Sequence, residues 1–257
     1  MLTGKIAVIT GASSGIGAKL AELLSERGAI PILTARSISK LEAVSAHIHG
    51  QHQILPMDVT SLEQVQHVIH TVKSEYGKID IVINNAGFGV FADLLHASMD
   101  EFAEMMDVNY MGTVRCTKTV LPIMLEQGYG HIVNVASIAG KIATAKSSGY
   151  SATKHAVIGF TNALRQELRG TGIHISTVNP GPVQTAFFER ADQTGEYAKK
   201  VERFMLKPEQ VALAVISAIE KKKTEVNLPL SMALGVRLSG MFPKAFEKLS
   251  SALFNFK

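Results

Sequence analysis

Short, nearly continuous apolar runs alternate along this chain with longer segments whose apolar residues recur every three or four positions. The runs Lys5–Thr10, Ile30–Ala35, Gln53–Met57, Ile79–Ile83, His131–Ala136, Ile173–Asn179 and Glu225–Leu228 read as strands. Between them Ile16–Arg27, Ser39–Ile48, Leu62–Tyr76, Asp100–Glu126, Tyr150–Arg169 and Pro208–Lys222 carry helical spacing. A strand that is apolar on both sides must be covered on both faces, as in a parallel sheet wrapped by helices. The pattern therefore predicts an α/β fold: one doubly wound, mostly parallel sheet of about seven strands with right-handed crossovers. No repeat of solenoid length and no linker interrupts it, so residues 1–257 read as a single domain.

Two segments break the alternation. Residues 186–206 mix aromatics and charges between the sixth and seventh strands, and Phe187, Phe188, Tyr197, Phe204 and Met205 suggest an apolar lid. Residues 229–257 form an amphipathic C-terminal extension rich in Leu, Met and Phe, with Arg237, Lys244, Lys248 and Lys257 interspersed. Three fates compete for this extension: docking on its own subunit, packing across an oligomer interface, or peripheral membrane contact.

Composition narrows the function classes. The net charge is +4 and the basic residues are scattered, which suits an anionic ligand but gives no block for nucleic acid. The one cysteine, Cys116, rules out an intramolecular disulfide and reads as a core filler in a reducing compartment. The nine histidines show no metal-ligand spacing, so no metal is expected. The N-terminus lacks a signal-peptide layout and no apolar run reaches the ~18 residues of a membrane span, which predicts a cytoplasmic protein.

The chemistry begins at Thr10-Gly11-Ala12-Ser13-Ser14-Gly15-Ile16-Gly17, between the first strand and the first helix. Gly11 permits a sharp turn, Gly15 lets the backbone approach a diphosphate, and Gly17 lets the helix pack close to the sheet. The free N–H groups of Ser13, Ser14 and Ile16 at the helix start favour an anion there. The second strand ends Leu33-Thr34-Ala35-Arg36-Ser37, without the carboxylate that would bind a ribose diol and repel a phosphate. Arg36 instead offers a planar fork for one, with Ser13 and Ser37 as further donors, and the preference reads as NADP(H).

A second set is Tyr150-Ser151-Ala152-Thr153-Lys154. Residues four apart on a helix share a face, so an ammonium lies one turn from the phenol and lowers its pKa from ~10 toward neutrality. Ser137, at the end of the fifth strand, is suited to hold a substrate oxygen beside that phenol.

Taken together, Thr10 followed by Gly-x3-Gly-x-Gly, then Asn84-Asn85-Ala86-Gly87, Ser137, and Tyr150-x3-Lys154 resemble the short-chain dehydrogenase/reductase family. The resemblance spans about Lys5 to Thr185 and implies a Rossmann-like fold. It implies that Asp58 and Val59 meet the adenine, that Asn85, Ala86 and Gly87 let the adenosine half lie close, and that Asn84 and Asn85 also tie loops together. Asn109 matches the family's fourth catalytic member beside Ser137, Tyr150 and Lys154, thought to hold a water leading to Lys154. Pro180, Gly181, Val183 and Thr185 fall where the family holds the nicotinamide, which implies transfer of the pro-S hydride. A homo-oligomer, dimer or tetramer, is implied as well, although the extension departs from family members that end soon after the seventh strand.

The activity expected from this set is hydride transfer between NADP(H) and a carbonyl or secondary alcohol, with Tyr150 as general acid/base. Phe88–Phe91, Ile138, Ile142 and the lid are expected to line the substrate pocket. No Arg or Lys stands out as a carboxylate clamp, which favours an apolar or lipid-like substrate. A non-catalytic NADP(H)-binding sensor on the same fold is the alternative; an epimerase or dehydratase is disfavoured by the lack of a large C-terminal substrate domain.

Overall fold

The computed structural model describes residues 2–192 and 195–241. Seven parallel strands form one sheet in the order β3-β2-β1-β4-β5-β6-β7. They are β1 Ile6–Thr10, β2 Ile30–Ala35, β3 Gln53–Pro56, β4 Ile81–Asn84, β5 Gly130–Val135, β6 Ile173–Pro180 and β7 Glu225–Leu228. The first six helices are α1 Gly15–Glu26, α2 Ile38–Ser45, α3 Leu62–Tyr76, α4 Met99–Met106, α5 Gly112–Gln127 and α6 Ser148–Glu167. They are followed by α7 Phe187–Ala191, α8 Glu196–Val201, α9 Pro208–Glu220 and α10 Leu230–Met241.

The apolar run of β1 shows why its strand is hydrophobic throughout. Ala7 and Ile9 enter a core with Leu20 and Leu24 of α1 and Val211 and Val215 of α9. Ile6 and Val8 enter the opposite core with Val65 and Ile69 of α3, Cys116 and Val120 of α5, and Leu164 of α6. Each face of a pleated strand needs its own cover, and here both have one. Cys116 fills this second core, where burial pushes its thiol up to about 12. Among the described residues no helix is long and apolar enough to cross a membrane.

Strand order reverses between β1 and β4, which opens a crevice at the C-terminal ends of the central strands. Helix boundaries around that crevice are set by serine hydroxyls. Ser37, Ser61 and Ser98 accept from Lys40, Gln64 and Glu101 N–H groups at the starts of α2, α3 and α4.

Two differences from the sequence pattern matter. The helix expected over Asp100–Glu126 is interrupted by a five-residue π turn, Asp107–Met111, between α4 and α5. One surplus residue there swings Asn109 inward to a side-chain partner, a gain that the regular ladder lacks. In addition, α6 starts at Ser148, not at Tyr150, so Tyr150 lies in its first turn.

Candidate active site

The glycine turn is built by close approach. Gly11 and Gly15 have φ of 66° and 55°, where only glycine sits without strain. A Cβ on Gly11 would lie 2.9 Å from the Ala86 Cα, and one on Gly15 would lie 2.9 Å from the Thr185 Cγ2. The Thr10 hydroxyl accepts from the backbone N–H groups of Asn85 and Ala86, both at 3.0 Å, while the Asn85 amide donates to the Thr10 carbonyl. The turn after β1 and the loop after β4 are thereby fixed to each other. Ser14 caps α1 with its backbone extended and its side chain unused, which leaves first-turn N–H groups for an anion.

Gly17 stands behind this turn, off the cleft wall, with Asn85 Nδ2 2.8 Å and Ala12 Cα 2.9 Å from the place of a Cβ. Gly17→Ala is expected to cost ~1–3 kcal/mol by overpacking against backbone. At roughly 2–4 °C per kcal/mol for a chain of this size, thermal denaturation reads this as a lowered midpoint, and an unchanged midpoint would disprove the packing role.

A single cleft, about 760 Å³ in volume, runs from the end of β2 to α10. Of the sequence-derived residues, Gly11, Ser13, Ser14, Gly15, Ile16, Arg36, Asp58, Val59, Asn85, Ala86 and Gly87 line it. So do Ser137, Tyr150, Lys154, Pro180, Gly181, Val183 and Thr185, whereas Gly17 and Asn109 stand behind the wall. At the β2 end Arg36 is exposed, and Lys40 of α2 lines the same end, one helical turn on. Lys40 escaped the sequence reading because a lone lysine in an exposed helix has no distinguishing pattern. Ser37 also lines this end; its Oγ accepts from the Lys40 N–H at 3.4 Å as the cap of α2, a bond that does not use the hydroxyl hydrogen. Asp58 folds one carboxylate oxygen onto the Thr60 N–H and hydroxyl, at 2.9 and 2.8 Å.

At the other end Tyr150, Ser137 and Lys154 are all buried. Ser137 Oγ donates to the Pro180 carbonyl at 3.3 Å and accepts from the Ala139 N–H at 3.0 Å. Burial pushes the Tyr150 phenol up, against a hydrogen bond with Ser137 that pulls it down; the Tyr197 ring hydroxyl nearby pushes it further up. Burial lowers Lys154 to about 8. Its ammonium donates to the Val135 carbonyl at 3.1 Å and lies 5.8 Å from the centre of the Tyr150 ring. The sequence expectation that Lys154 lowers the phenol is thus outweighed, in the polypeptide alone, by the shared burial of both groups.

Asn109 is placed by the π turn. Its Oδ1 accepts from the Phe88 N–H at 2.9 Å, and its Nδ2 donates to the Phe88 carbonyl at 2.8 Å and the Thr153 hydroxyl at 3.0 Å. The side chain therefore latches the loop after β4 to α6, one residue from Lys154. Deeper still, Asn84 donates to Thr117 and Asn134, and Asn134 donates to Thr161, a buried amide chain linking α5, the central strands and α6.

Most of the expected substrate wall lines the cleft, with additions, whereas Gly89, Val90 and Met205 do not. Phe91 packs at 5.7 Å from Tyr150, 6.2 Å from Phe187 and 4.7 Å from Tyr197, measured between ring centres. Phe187 also lies 5.5 Å from Tyr150, so lid aromatics from α7 and α8 surround the phenol. Ile138, Ile142, Phe188 and Phe204 join the lining, as do Ser231, Met232 and Gly235 of α10. The start of the extension thus docks on its own subunit. One cation stands in this part of the wall: Arg190 lies 3.5 Å over the Phe88 ring and donates to Glu104 at 2.7 Å, an ion pair that engages the guanidinium. Its two partners, far away in sequence, come from the loop after β4 and from α4, and Glu104 offsets its charge.

The family model for short chain dehydrogenases matches residues 5–196. The chain belongs to that family of oxidoreductases. It is 40% identical over 224 residues to an uncharacterized oxidoreductase of Staphylococcus aureus, a match that covers 87% of this chain and 94% of the relative. Its structure resembles a short chain dehydrogenase/reductase from Burkholderia phymatum in complex with NAD, with TM-score 0.87, 28% identity and 95% of each chain covered. It also resembles a serine dehydrogenase complexed with NADP+, with TM-score 0.81, 29% identity and 88% and 95% of the two chains covered. Structural neighbours of this chain therefore bind either nicotinamide dinucleotide.

Proposed function

We propose that this chain is an NADP(H)-dependent oxidoreductase that interconverts an apolar carbonyl compound and its secondary alcohol, with Tyr150 as general acid/base. The observation that carries the reading is the single cleft with Arg36 and Lys40 at one end and buried Tyr150, Ser137 and Lys154 at the other. The cleft suits a dinucleotide: bare glycine backbone at Gly11 and Gly15 leaves no room for a Cβ, and a helix start opens onto it.

Gly11, Ser13, Ser14, Gly15 and Ile16 would hold the diphosphate, and Arg36 with Lys40 the ribose phosphate that distinguishes NADP(H). Asp58 and Val59, with Asn85, Ala86 and Gly87, would border the adenosine half. Pro180, Gly181, Val183 and Thr185 would border the nicotinamide, and Lys154 with Tyr150 its ribose. When bound, that cofactor supplies hydride exchange.

The chain's own groups supply the proton chemistry. Ser137 holds the substrate oxygen beside the phenol by a hydrogen bond. Tyr150 Oη gives its proton to that oxygen during reduction and takes it back during oxidation. The phenolate left by reduction is a buried anion, and the Lys154 ammonium stabilises it electrostatically. Asn109 acts through position, since its bonds to Phe88 and Thr153 fix the loop and the helix turn that carry these groups. The aromatic wall excludes water from the reacting oxygen and favours an apolar substrate.

An NADPH-oxidation screen across ketoacyl, ketosteroid, sugar and aromatic carbonyls tests the reading. Turnover is expected to be highest with apolar ketones. Binding of NADPH without turnover on any class would leave the sensor reading in its place.

A further inference from the structure

We infer, building on the carbonyl reduction proposed above, that Met232 sets which way round a ketone lies in this cleft, and with it the enantiomer of the alcohol. The substrate class this defines is a ketone with one small and one large apolar substituent. In the sheet, β5 and β6 stand between β4 and β7. Ser137 follows β5, and its hydroxyl donates to the Pro180 carbonyl at the end of β6. Phe91, in the loop after β4, and Met232, in the first turn of α10 after β7, therefore approach that pair from opposite sides.

Each side offers a different wall. On the β4 side Phe91 is one of a group of rings, with Phe187 of α7 and Tyr197 of α8 at 6.2 and 4.7 Å between centres. Rings from three segments make an extended apolar surface that suits a large substituent. On the β7 side the cleft is lined by Ser231, Met232 and Gly235 of α10. Residues three and four apart share a helix face, so this strip carries one long side chain, Met232, between two small residues. The Met232 Sδ lies 2.6 Å from the place that a Cβ on Gly181 would take. Met232 is thus seated on the residue next to Pro180, whose carbonyl Ser137 engages. The helix also rests beside the turn Ile138–Gly140, which continues from Ser137. A substituent on this side meets the thioether beside the Ser137–Pro180 link, where a small one fits best.

Reduction adds hydride to the carbonyl carbon and the Tyr150 proton to its oxygen. Ser137 and Tyr150 fix that oxygen, and the cofactor, once bound, lies on one face of the carbonyl. Exchanging the two substituents about the C=O axis presents the opposite face and gives the opposite alcohol. By admitting the smaller group on its side, Met232 selects one arrangement.

Methyl hexyl ketone and its isomer propyl butyl ketone, reduced by the full-length enzyme with NADPH, test this. The wild type should prefer the methyl ketone in kcat/KM by at least about tenfold, the effect of one misplaced methylene in an apolar pocket, and give one enantiomer in similar excess. Met232→Ala should bring the two ketones within about threefold of each other and lower the enantiomeric ratio at least about fivefold. Met232→Leu, of similar volume, should keep both ratios near wild type. Each ratio is internal to one variant, so a loss of folded protein cannot mimic the shift. Unchanged ratios in Met232→Ala, or a wild type that prefers propyl butyl ketone or gives racemic alcohol, would overturn the inference and leave the oxidoreductase reading in place. So would a wild type that reduces other carbonyls and neither of these. NADPH binding without turnover of any carbonyl would remove the oxidoreductase reading itself, and the role of Met232 with it.

Discussion

Tyr150→Phe is expected to lower kcat for carbonyl reduction by ~10²–10⁴-fold, the range for loss of a positioned acid/base. NADPH affinity should stay within about twofold, because the substitution removes one hydroxyl from a ring already held by packing. Phe187 and Phe91 contact the Tyr150 ring, and a Phe ring keeps those contacts. The fold has no reason to suffer either, because burial disfavours the phenolate and the ring is held mainly by packing. Single-turnover kinetics beside fluorescence titration of NADPH separates the two readouts. Activity within a factor of about ten of wild type would remove Tyr150 from the proton-transfer role.

The second large effect concerns the other end of the cleft. Arg36→Ala should raise the Kd for NADPH by roughly 10- to 100-fold, as loss of a charge-assisted hydrogen bond worth about 1.5–3 kcal/mol does. NADH affinity should hardly change, since NADH lacks the phosphate. Arg36 is exposed and makes no ion pair among the described residues, so the substitution leaves no buried acid unpartnered. Lys40→Ala should shift the same ratio in the same direction by less, because a flexible ammonium lacks the planar fork. An unchanged NADPH-to-NADH ratio in Arg36→Ala would mean that the cation is merely solvated.

Much of this was legible in the chain because each feature has a local cause. Uniformly apolar strands required cover on both faces, and β1 with its two cores shows that requirement met. Gly11 and Gly15 stand where the backbone adopts positive φ beside Ala86 and Thr185, so the glycine spacing reported a steric fact. What stayed hidden depends on distant partners. Arg190 and Glu104 meet across 86 positions, and nothing in either neighbourhood announces the other. Lys40 gains meaning only from the register of α2 beside Arg36. The π turn was invisible because Asp107–Met111 contains ordinary helix-compatible residues, while the backbone that Asn109 meets from it is that of Phe88 on another loop. The balance of Tyr150 and Lys154 is not written in their spacing, which conveys proximity, because the size of the burial around both groups is a tertiary property.

The π turn also makes chain length itself a parameter of the site. Each residue added to or taken from a helix rotates everything beyond it by about 100°. Deleting one residue from Asp107–Met111 would smooth α4 into α5 and improve the local hydrogen-bond ladder. It would also carry Asn109 round the helix axis, away from Phe88 and Thr153. At this place a shorter, more regular helix is the defective one: the frame here is set by counting residues as much as by choosing them.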